Sequence, residues 1–147
     1  MQYNESEFFI ETEVPHDEVI TSRTDLDGNI TYANELFCEI SGYSLEELLG
    51  KPHSIVRHPD MPKSVYKDLW EIIRSGNQWI GVVKNLRKDK GHYWVKAVVS
   101  GVYKDGKLVE YKSLRSPIEH HDKLEYQKLY DKIRRDNGEK TRKVIYE

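Results

Sequence analysis

Residues 24–34 read TDLDGNITYAN, and this stretch decides how the chain begins to fold. Residues 25–28 have turn composition, and they lie between two short runs rich in β-formers, residues 19–24 and 29–33. Two such runs on a short polar connection predict a β-hairpin. Asn34 directly follows the second run, where its side chain can cap the first turn of a helix.

Short helices are predicted from residue 34 to residue 76. The first carries Leu36, Phe37 and Ile40 and ends at Gly42, a typical C-terminal residue. Ser44 and Glu47 form a capping-box pattern for a second, shorter helix. Asp60 lies where an N-cap belongs, with Pro62 in the first turn of a third helix. The apolar residues of that helix follow a helical period and are Val65, Leu69, Ile72 and Ile73.

The second half of the chain changes to the period of strands. Residues 79–86, 92–103 and 108–117 are β-rich, and the turn-forming residues 87–91 and 104–107 separate them. Three strands on short connections predict an antiparallel meander. The whole pattern therefore predicts an α+β fold, with short helices on one face of a five-stranded antiparallel sheet. Residues 118–137 add a C-terminal helix with a narrow apolar stripe.

The composition excludes several classes of protein. The 147 residues include a third that are charged, but the net charge is only −2, which argues against a nucleic-acid binder. No apolar run is long enough to cross a bilayer, and the N-terminus lacks the layout of a signal peptide. A single cysteine, Cys38, rules out an intramolecular disulfide framework. We therefore expect a cytoplasmic protein of one compact domain.

Two phrases in order resemble a PAS domain over about residues 19–118: residues 24–34 and the run SGYSLEELLG at residues 41–50. Within that superfamily, PHSIVRHPDMP at residues 52–62 resembles the flavin-binding PAS domain of bacterial aerotaxis receptors. Trp79 and residues 83–88 and 92–95 support the same match. The resemblance implies a PAS fold that holds FAD and reports redox or oxygen state to a chemotaxis-type pathway.

The resemblance also implies which residues bind the cofactor. Arg57, His58 and Asp60 match positions that the family associates with FAD. Arg57 suits a pyrophosphate or ribose oxygen, because its guanidinium presents a planar set of donors. Asp60 is equally explained as a helix cap. Asn34 matches a further family position, and its capping role explains it equally well.

Strand alternation adds a second wall to the predicted flavin site. If residues 79–86 form one strand, Trp79, Gly81, Val83 and Asn85 share a face. Trp79 can stack on a ring, Gly81 leaves room for a ring, and Asn85 can both donate and accept hydrogen bonds. Reduction of a flavin would then require Asn85 to rotate or lose a hydrogen bond. An ordinary core with a bulge at Gly81 is the alternative reading of the same pattern.

The flanking segments complete the predicted organisation. Residues 1–17 are an N-terminal cap or a disordered leader, in which Phe8, Phe9 and Ile10 could pair two copies of the chain as a homodimer. Residues 18–118 are the sensor domain, and residues 119–147 are a signalling helix and tail. The expected partner is a chemoreceptor-type signalling domain or subunit, either in the same polypeptide or separate. A fragment of a receptor and a stand-alone PAS protein both fit.

The sequence also bears on other possible functions. A light-sensing flavin domain is rejected because Cys38 lies in the early helix, away from the position that such a domain needs. A haem gas sensor would use His53 or His58 as its axial ligand. A cofactor-free PAS module for dimerisation or partner binding is the third possibility. An enzyme is not expected, because the sequence shows no nucleophile–base pair, phosphate loop or metal-ligand spacing.

Overall fold

The computed structural model describes residues 10–140. Its strands are β1 Ile20–Thr24, β2 Ile30–Ala33, β3 Trp79–Leu86, β4 His92–Lys104 and β5 Lys107–Ser116. Its α-helices are α1 Glu35–Ser41, α2 Leu45–Leu48, α3 Lys63–Arg74 and α4 His120–Asp136, with a 3-10 helix at His53–Val56 between α2 and α3. These elements confirm the predicted α+β architecture.

The five strands form one antiparallel sheet in the order β2-β1-β5-β4-β3. Strand β3 therefore lies at an edge and pairs with β4 over its whole length, from Trp79 opposite Val99 to Leu86 opposite His92. The helical segment between β2 and β3 covers one face of the sheet. Apolar side chains from both layers are buried there, among them Phe37 of α1, Ile73 of α3 and Val95 of β4.

The predicted hairpin forms because Asp25 organises its turn. The Asp25 carboxylate accepts hydrogen bonds from the backbone N–H groups of Asp27 at 3.0 Å and Asn29 at 2.9 Å. Gly28 has a φ of +89°, a conformation that glycine adopts without steric cost. The hairpin thus depends on local hydrogen bonds, and the turn residues that make them are recognisable in the sequence.

Asn34 joins the hairpin to the first helix. Its Oδ1 accepts from the Phe37 N–H and from the Thr21 N–H, each at 3.1 Å, and its Nδ2 donates to the Val19 carbonyl at 2.9 Å. The predicted cap of α1 is confirmed, and the same side chain fixes α1 against β1. Ser44 and Glu47 likewise form the predicted capping box of α2.

The predicted cap of α3 was wrong. Helix α3 begins at Lys63, Pro62 is its N-cap residue, and no side chain caps it. The Asp60 carboxylate turns away from the helix and accepts a hydrogen bond from Lys84 Nζ at 2.7 Å. A buried lysine from the neighbouring strand therefore competes successfully with the local backbone for this carboxylate.

The first described residues contact both β4 and helix α4. Residues 10–12 lie beside the start of β4, with Thr12 N–H donating to the His92 carbonyl at 2.8 Å. Lys123 of α4 pairs with Glu11 at 2.5 Å and with Glu13 at 3.1 Å. Of the predicted dimer residues, Ile10 is 64% exposed, while Phe8 and Phe9 lie outside the described residues. Among residues 10–140, no helix combines the length and apolar character needed to cross a bilayer.

Candidate functional site

A cavity of about 300 Å³ lies between the covered face of the sheet and the helical segment. Strands β1, β3, β4 and β5 supply its floor, and the 3-10 helix and α3 supply its roof. The walls are mostly apolar or aromatic, with a few polar groups, which is typical of a small-molecule site. The residues that line it include Ser22, His53, Arg57, Tyr66, Trp79, Val83, Asn85, Tyr111, Ser113 and Arg115.

Trp79 and Gly81 are linked by the path of β3. A Cβ atom at Gly81 would lie 2.4 Å from Trp79 Cζ2, far inside van der Waals contact. The absence of a side chain at Gly81 therefore makes room for a ring, and that ring is the indole of Trp79. Trp79, Val83 and Asn85 line the cavity, as strand alternation predicted, whereas Gly81 supports the indole from beside it.

Asn85 lies deep in the site, with 4% of its surface exposed. It is opposite Tyr93 in the register of β3 and β4. Burial raises the pKa of Tyr93 to about 12, although the Arg115 charge and the Asn85 amide act in the opposite direction. On its other side, the backbone of Asn85 forms a β-bridge with Arg57. The backbone of Asn85 is thus held between the meander and the loop that follows the 3-10 helix.

Arg57 lies at the mouth of the cavity and is exposed. Its guanidinium carbon is 3.7 Å from the centre of the Tyr66 ring on α3, a stacked cation–π contact. The Tyr66 hydroxyl is buried, and this burial raises the pKa of the phenol. Arg57 is therefore oriented by an aromatic face at the point where a ligand would enter.

Arg115 is the residue that sequence reasoning missed. Only 2% of it is exposed, and its side chain lines the cavity. Its Nη2 donates to Ser22 Oγ at 2.7 Å, and its guanidinium carbon lies 4.3 Å from the centre of the Phe37 ring. Within residues 10–140, its Nε and Nη1 have no hydrogen-bond partner. Burial lowers the pKa of Arg115 to about 10, so the group stays charged at neutral pH.

His53 shares the Ser22 hydroxyl with Arg115. The distance from His53 Nε2 to Ser22 Oγ is 3.1 Å. The Ser22 hydroxyl has one proton and two lone pairs, so the tautomer of His53 decides which of the two groups donates in this contact. Desolvation and the Arg115 charge lower the pKa of His53 to about 3. The cavity wall therefore places a buried cation beside a neutral imidazole.

The other three predicted site residues do not line this cavity. His58 is fully buried, and its Nδ1 accepts from the Asp60 N–H at 2.9 Å. Asp60 faces Lys84 and helix α4. Asn34 caps α1, next to a shallow acidic depression outside the site. The structure thus brings together Arg57, Trp79 and Asn85, and it places His58, Asp60 and Asn34 elsewhere. Cys38 lies in α1 and is not among the residues that line the cavity.

The inward alternation of β5 could have revealed Arg115. Tyr111, Ser113 and Arg115 lie at a spacing of two, and all three line the cavity. An arginine on the buried face of a strand is uncommon unless something pairs with it. Its position in the alternation was therefore a signal of a polar site within the core.

Comparison with known proteins agrees with this architecture. The family model described as "PAS fold" matches residues 30–115. The chain is 40% identical over 135 residues to the aerotaxis receptor of Escherichia coli (strain K12), a match covering 92% of this chain and 26% of the receptor. It is 32% identical over 108 residues to a nitrogen fixation regulatory protein of Klebsiella pneumoniae, covering 73% of this chain and 22% of that protein.

Among solved structures, a light-oxygen-voltage domain studied with a flavin analogue superposes with a TM-score of 0.65 at 20% identity. The match covers 80% of this chain and 87% of that domain. At this identity the likeness concerns the fold alone. The chain spans about a quarter of the length of the curated relatives named above. The sheet order, the cavity between the sheet and the short helices, and the family match over residues 30–115 show that the chain belongs to the PAS fold family.

Proposed function

We propose that this PAS domain binds a flavin, most specifically FAD, and reports redox or oxygen state to a chemoreceptor-type signalling partner. Its likeness to an aerotaxis receptor supports the sensing role and the type of partner. Because the chain corresponds to about a quarter of that receptor, the signalling region is expected in the same polypeptide or in a separate subunit. A cytoplasmic location is part of the same proposal.

The buried guanidinium of Arg115 is the observation that carries the proposal. Two of its nitrogens, Nε and Nη1, have no hydrogen-bond partner within the described residues, yet they belong to a charged side chain in the wall of a cavity. An unsatisfied buried donor costs about 1–3 kcal/mol, so the site favours a ligand that offers hydrogen-bond acceptors. The pyrimidine edge of a flavin consists of carbonyl oxygens and ring nitrogens. The donor set and the aromatic wall therefore fit an isoalloxazine.

The residues of β3 suit the rest of such a ligand. The Trp79 indole provides a flat surface for stacking, and Val83 extends it with an apolar patch. When bound, a flavin supplies electron transfer, and its reduced ring gains a proton at N5 and negative charge at the pyrimidine edge. If flavin N5 changes from hydrogen-bond acceptor to donor, Asn85 can keep a hydrogen bond to it by turning its side-chain amide. The Arg115 guanidinium can stabilise the negative charge at the pyrimidine edge.

Arg57 supports FAD over smaller flavins. It lies at the cavity mouth, where an adenosine diphosphate extension would leave the pocket, and a guanidinium recognises phosphate oxygens well. An Arg57→Gln variant should lose about 10-fold or more in affinity for FAD and little for riboflavin. Parallel fluorescence titrations with the two flavins measure this difference. Equal losses for both would remove the argument for a phosphate contact at Arg57.

The visible spectrum of the purified protein, before and after dithionite, tests the cofactor. We expect flavin bands that bleach on reduction, or that appear after incubation with FAD. A Soret band would instead identify a haem domain. Protein that stays colourless and binds no FAD in a fluorescence titration would leave the cofactor-free interaction module, and the flavin proposal would be wrong.

A further inference from the structure

We infer that Asp60 is a docking residue for α4, and that release of this helix is the conformational output of the domain. Asp60 belongs to the pocket loop, residues 57–61, which begins with Arg57 at the cavity mouth. The docking contact stands on its own geometry. Only the idea that a ligand in the cavity controls this contact rests on the flavin function proposed above.

The contact begins with an ion pair between the pocket loop and β3. Lys84 Nζ lies 2.7 Å from Asp60 Oδ2, and both side chains are almost completely buried. Lys84 Nζ also donates to Gln127 Oε1 of α4 at 2.7 Å, and Gln127 Nε2 lies 3.4 Å from Asp60 Oδ2. The amide of Gln127 therefore joins both members of the ion pair and brings α4 into the network.

A second ion pair belongs to α4 itself. Arg134 pairs with Asp131, and Gln127 Nε2 donates to Asp131 Oδ1 at 3.0 Å. Arg134 also reaches the pocket loop, where its Nη1 donates to the Pro59 carbonyl at 3.1 Å and lies 3.7 Å from Asp60 Oδ1. The network thus contains two carboxylates and two cations around one amide, so its formal charges balance.

Polar side chains make most of the deeply buried contacts of α4. Leu129 is 47% exposed and Tyr130 is 6% exposed. Tyr126 and Ile133 are only partly buried against the core. By contrast, Gln127, Asp131 and Arg134 are each at most 6% exposed. Buried polar networks specify one geometry, and they are sensitive to a change in any member. A helix held in this way can be released by a small displacement of the charges it meets.

Strand β3 links this network to the cavity. Asn85 lines the cavity, whereas its neighbour Lys84 points to the opposite face of the sheet and joins the network. The Asn85 backbone also bridges to Arg57, the first residue of the pocket loop. A change in the hydrogen bonding of Asn85 would therefore move both the lysine and the loop that carries Asp60.

Docking also covers the edge of the sheet. The Tyr130 hydroxyl donates to the Val82 carbonyl at 2.5 Å, on the side of β3 that has no neighbouring strand in the described sheet. Edge strands offer unpaired backbone groups to other chains, and a covering helix blocks such pairing. Release of α4 would expose this carbonyl and the buried Lys84 side chain to a signalling partner.

Hydrogen exchange of the α4 amides in the full chain tests the docking role. Gln127→Leu removes the joining amide, and Asp60→Asn removes one charge of the balanced network. Each should lower α4 protection by about a hundredfold, because breaking a buried pair is strongly unfavourable. Adding Lys84→Gln to Asp60→Asn removes one cation as well, and it should restore part of the protection. Lys132→Ala breaks an exposed pair with Asp136 on the same helix and should change nothing.

Three outcomes would overturn the inference. The first is unchanged α4 protection in both single variants, and the second is a double variant, Asp60→Asn with Lys84→Gln, that protects α4 less than Asp60→Asn alone. The third is loss of FAD binding by Asp60→Asn with α4 protection intact, since Asp60 would then act on the ligand. The β4 and β5 amides in the same spectra separate local release from global unfolding. Exchange is measured on flavin-free protein as well, so a failure to bind flavin leaves the docking result standing.

Discussion

Replacing Arg115 with methionine should change stability and ligand affinity in opposite directions. In the flavin-free protein, burial lowers the pKa of Arg115 from 12.5 to about 10. At about 1.4 kcal/mol for each pKa unit, the folded state carries about 3 kcal/mol against the charged form. Methionine removes this cost but loses the Ser22 hydrogen bond and the Phe37 contact, each worth about 1 kcal/mol. We expect Arg115→Met to unfold with a free energy about 1 kcal/mol higher than the unmodified protein.

The flavin-bound protein should respond the other way. If the two unpartnered nitrogens of Arg115, Nε and Nη1, donate to flavin acceptors, replacing the arginine removes charge-assisted hydrogen bonds worth about 1.5–3 kcal/mol. The dissociation constant of FAD should then rise by about 10-fold to 150-fold. A purely structural arginine would instead lower stability on replacement and leave FAD binding intact. A gain in unfolding free energy together with a loss of affinity for FAD would therefore show that Arg115 serves ligand binding.

Urea denaturation of flavin-free protein and fluorescence titration with FAD measure the two quantities. Lys107→Met is the matched control, because it removes an exposed cation from the same strand and should change neither. The reasoning would be refuted by an Arg115→Met protein that loses more than about 2 kcal/mol of stability while its affinity for FAD stays within twofold of the original.

Three further predictions address the walls of the cavity. Gly81→Ala should push the Trp79 indole into the cavity, lowering the unfolding free energy by about 1–3 kcal/mol and weakening FAD binding; urea denaturation and titration measure both, and an unchanged protein would contradict the 2.4 Å approach. Because the pKa of His53 is about 3 when folded, the unfolded chain alone takes up this proton as the pH falls below 6.5, so stability should fall by about 1.4 kcal/mol per pH unit. His53→Gln should reduce the stability that is lost between pH 7 and pH 5.5 by about 1.2 kcal/mol, measured by urea denaturation at both pH values, and an unchanged loss would place the His53 pKa near its ordinary value. Asn85→Ala, loaded with FAD, should make α4 exchange independent of dithionite, whereas exchange that still depends on reduction would exclude Asn85 as the coupling residue.

Local patterns predicted the fold well because each element carries its own signal. The hairpin turn is organised by Asp25 and Gly28, within four residues of each other, and Asn34 caps the helix that begins beside it. The meander follows from alternating strands on short polar turns. Strand alternation likewise placed Trp79 and Asn85 on the cavity wall. In each case the partners are close in sequence or are fixed by the period of a single strand.

Long-range electrostatics explain what local patterns did not predict. Asp60 lies two residues before Pro62, the N-cap of α3, and its local sequence is typical of an N-cap residue. Its carboxylate instead meets Lys84 and Gln127, 24 and 67 positions away. The alternation of β5 could have placed Arg115 on the inward face, but its contacts with Ser22 and Phe37 depend on tertiary folding. Nothing in the local sequence reports the electrostatic environment that tertiary folding creates around a charged residue.

The position of β3 at the sheet edge explains why it can connect the cavity to α4. A central strand is held by hydrogen bonds on both sides, whereas β3 has a strand neighbour only in β4 among the described elements. Its free side is held by the Arg57 bridge near one end, by Met61 Sδ at the Lys84 N–H and by the Tyr130 hydroxyl at Val82. Alternation then turns Asn85 towards the cavity and Lys84 towards α4. A shift of this strand therefore costs less than a shift of any interior strand, and it reaches the cavity and the helix together.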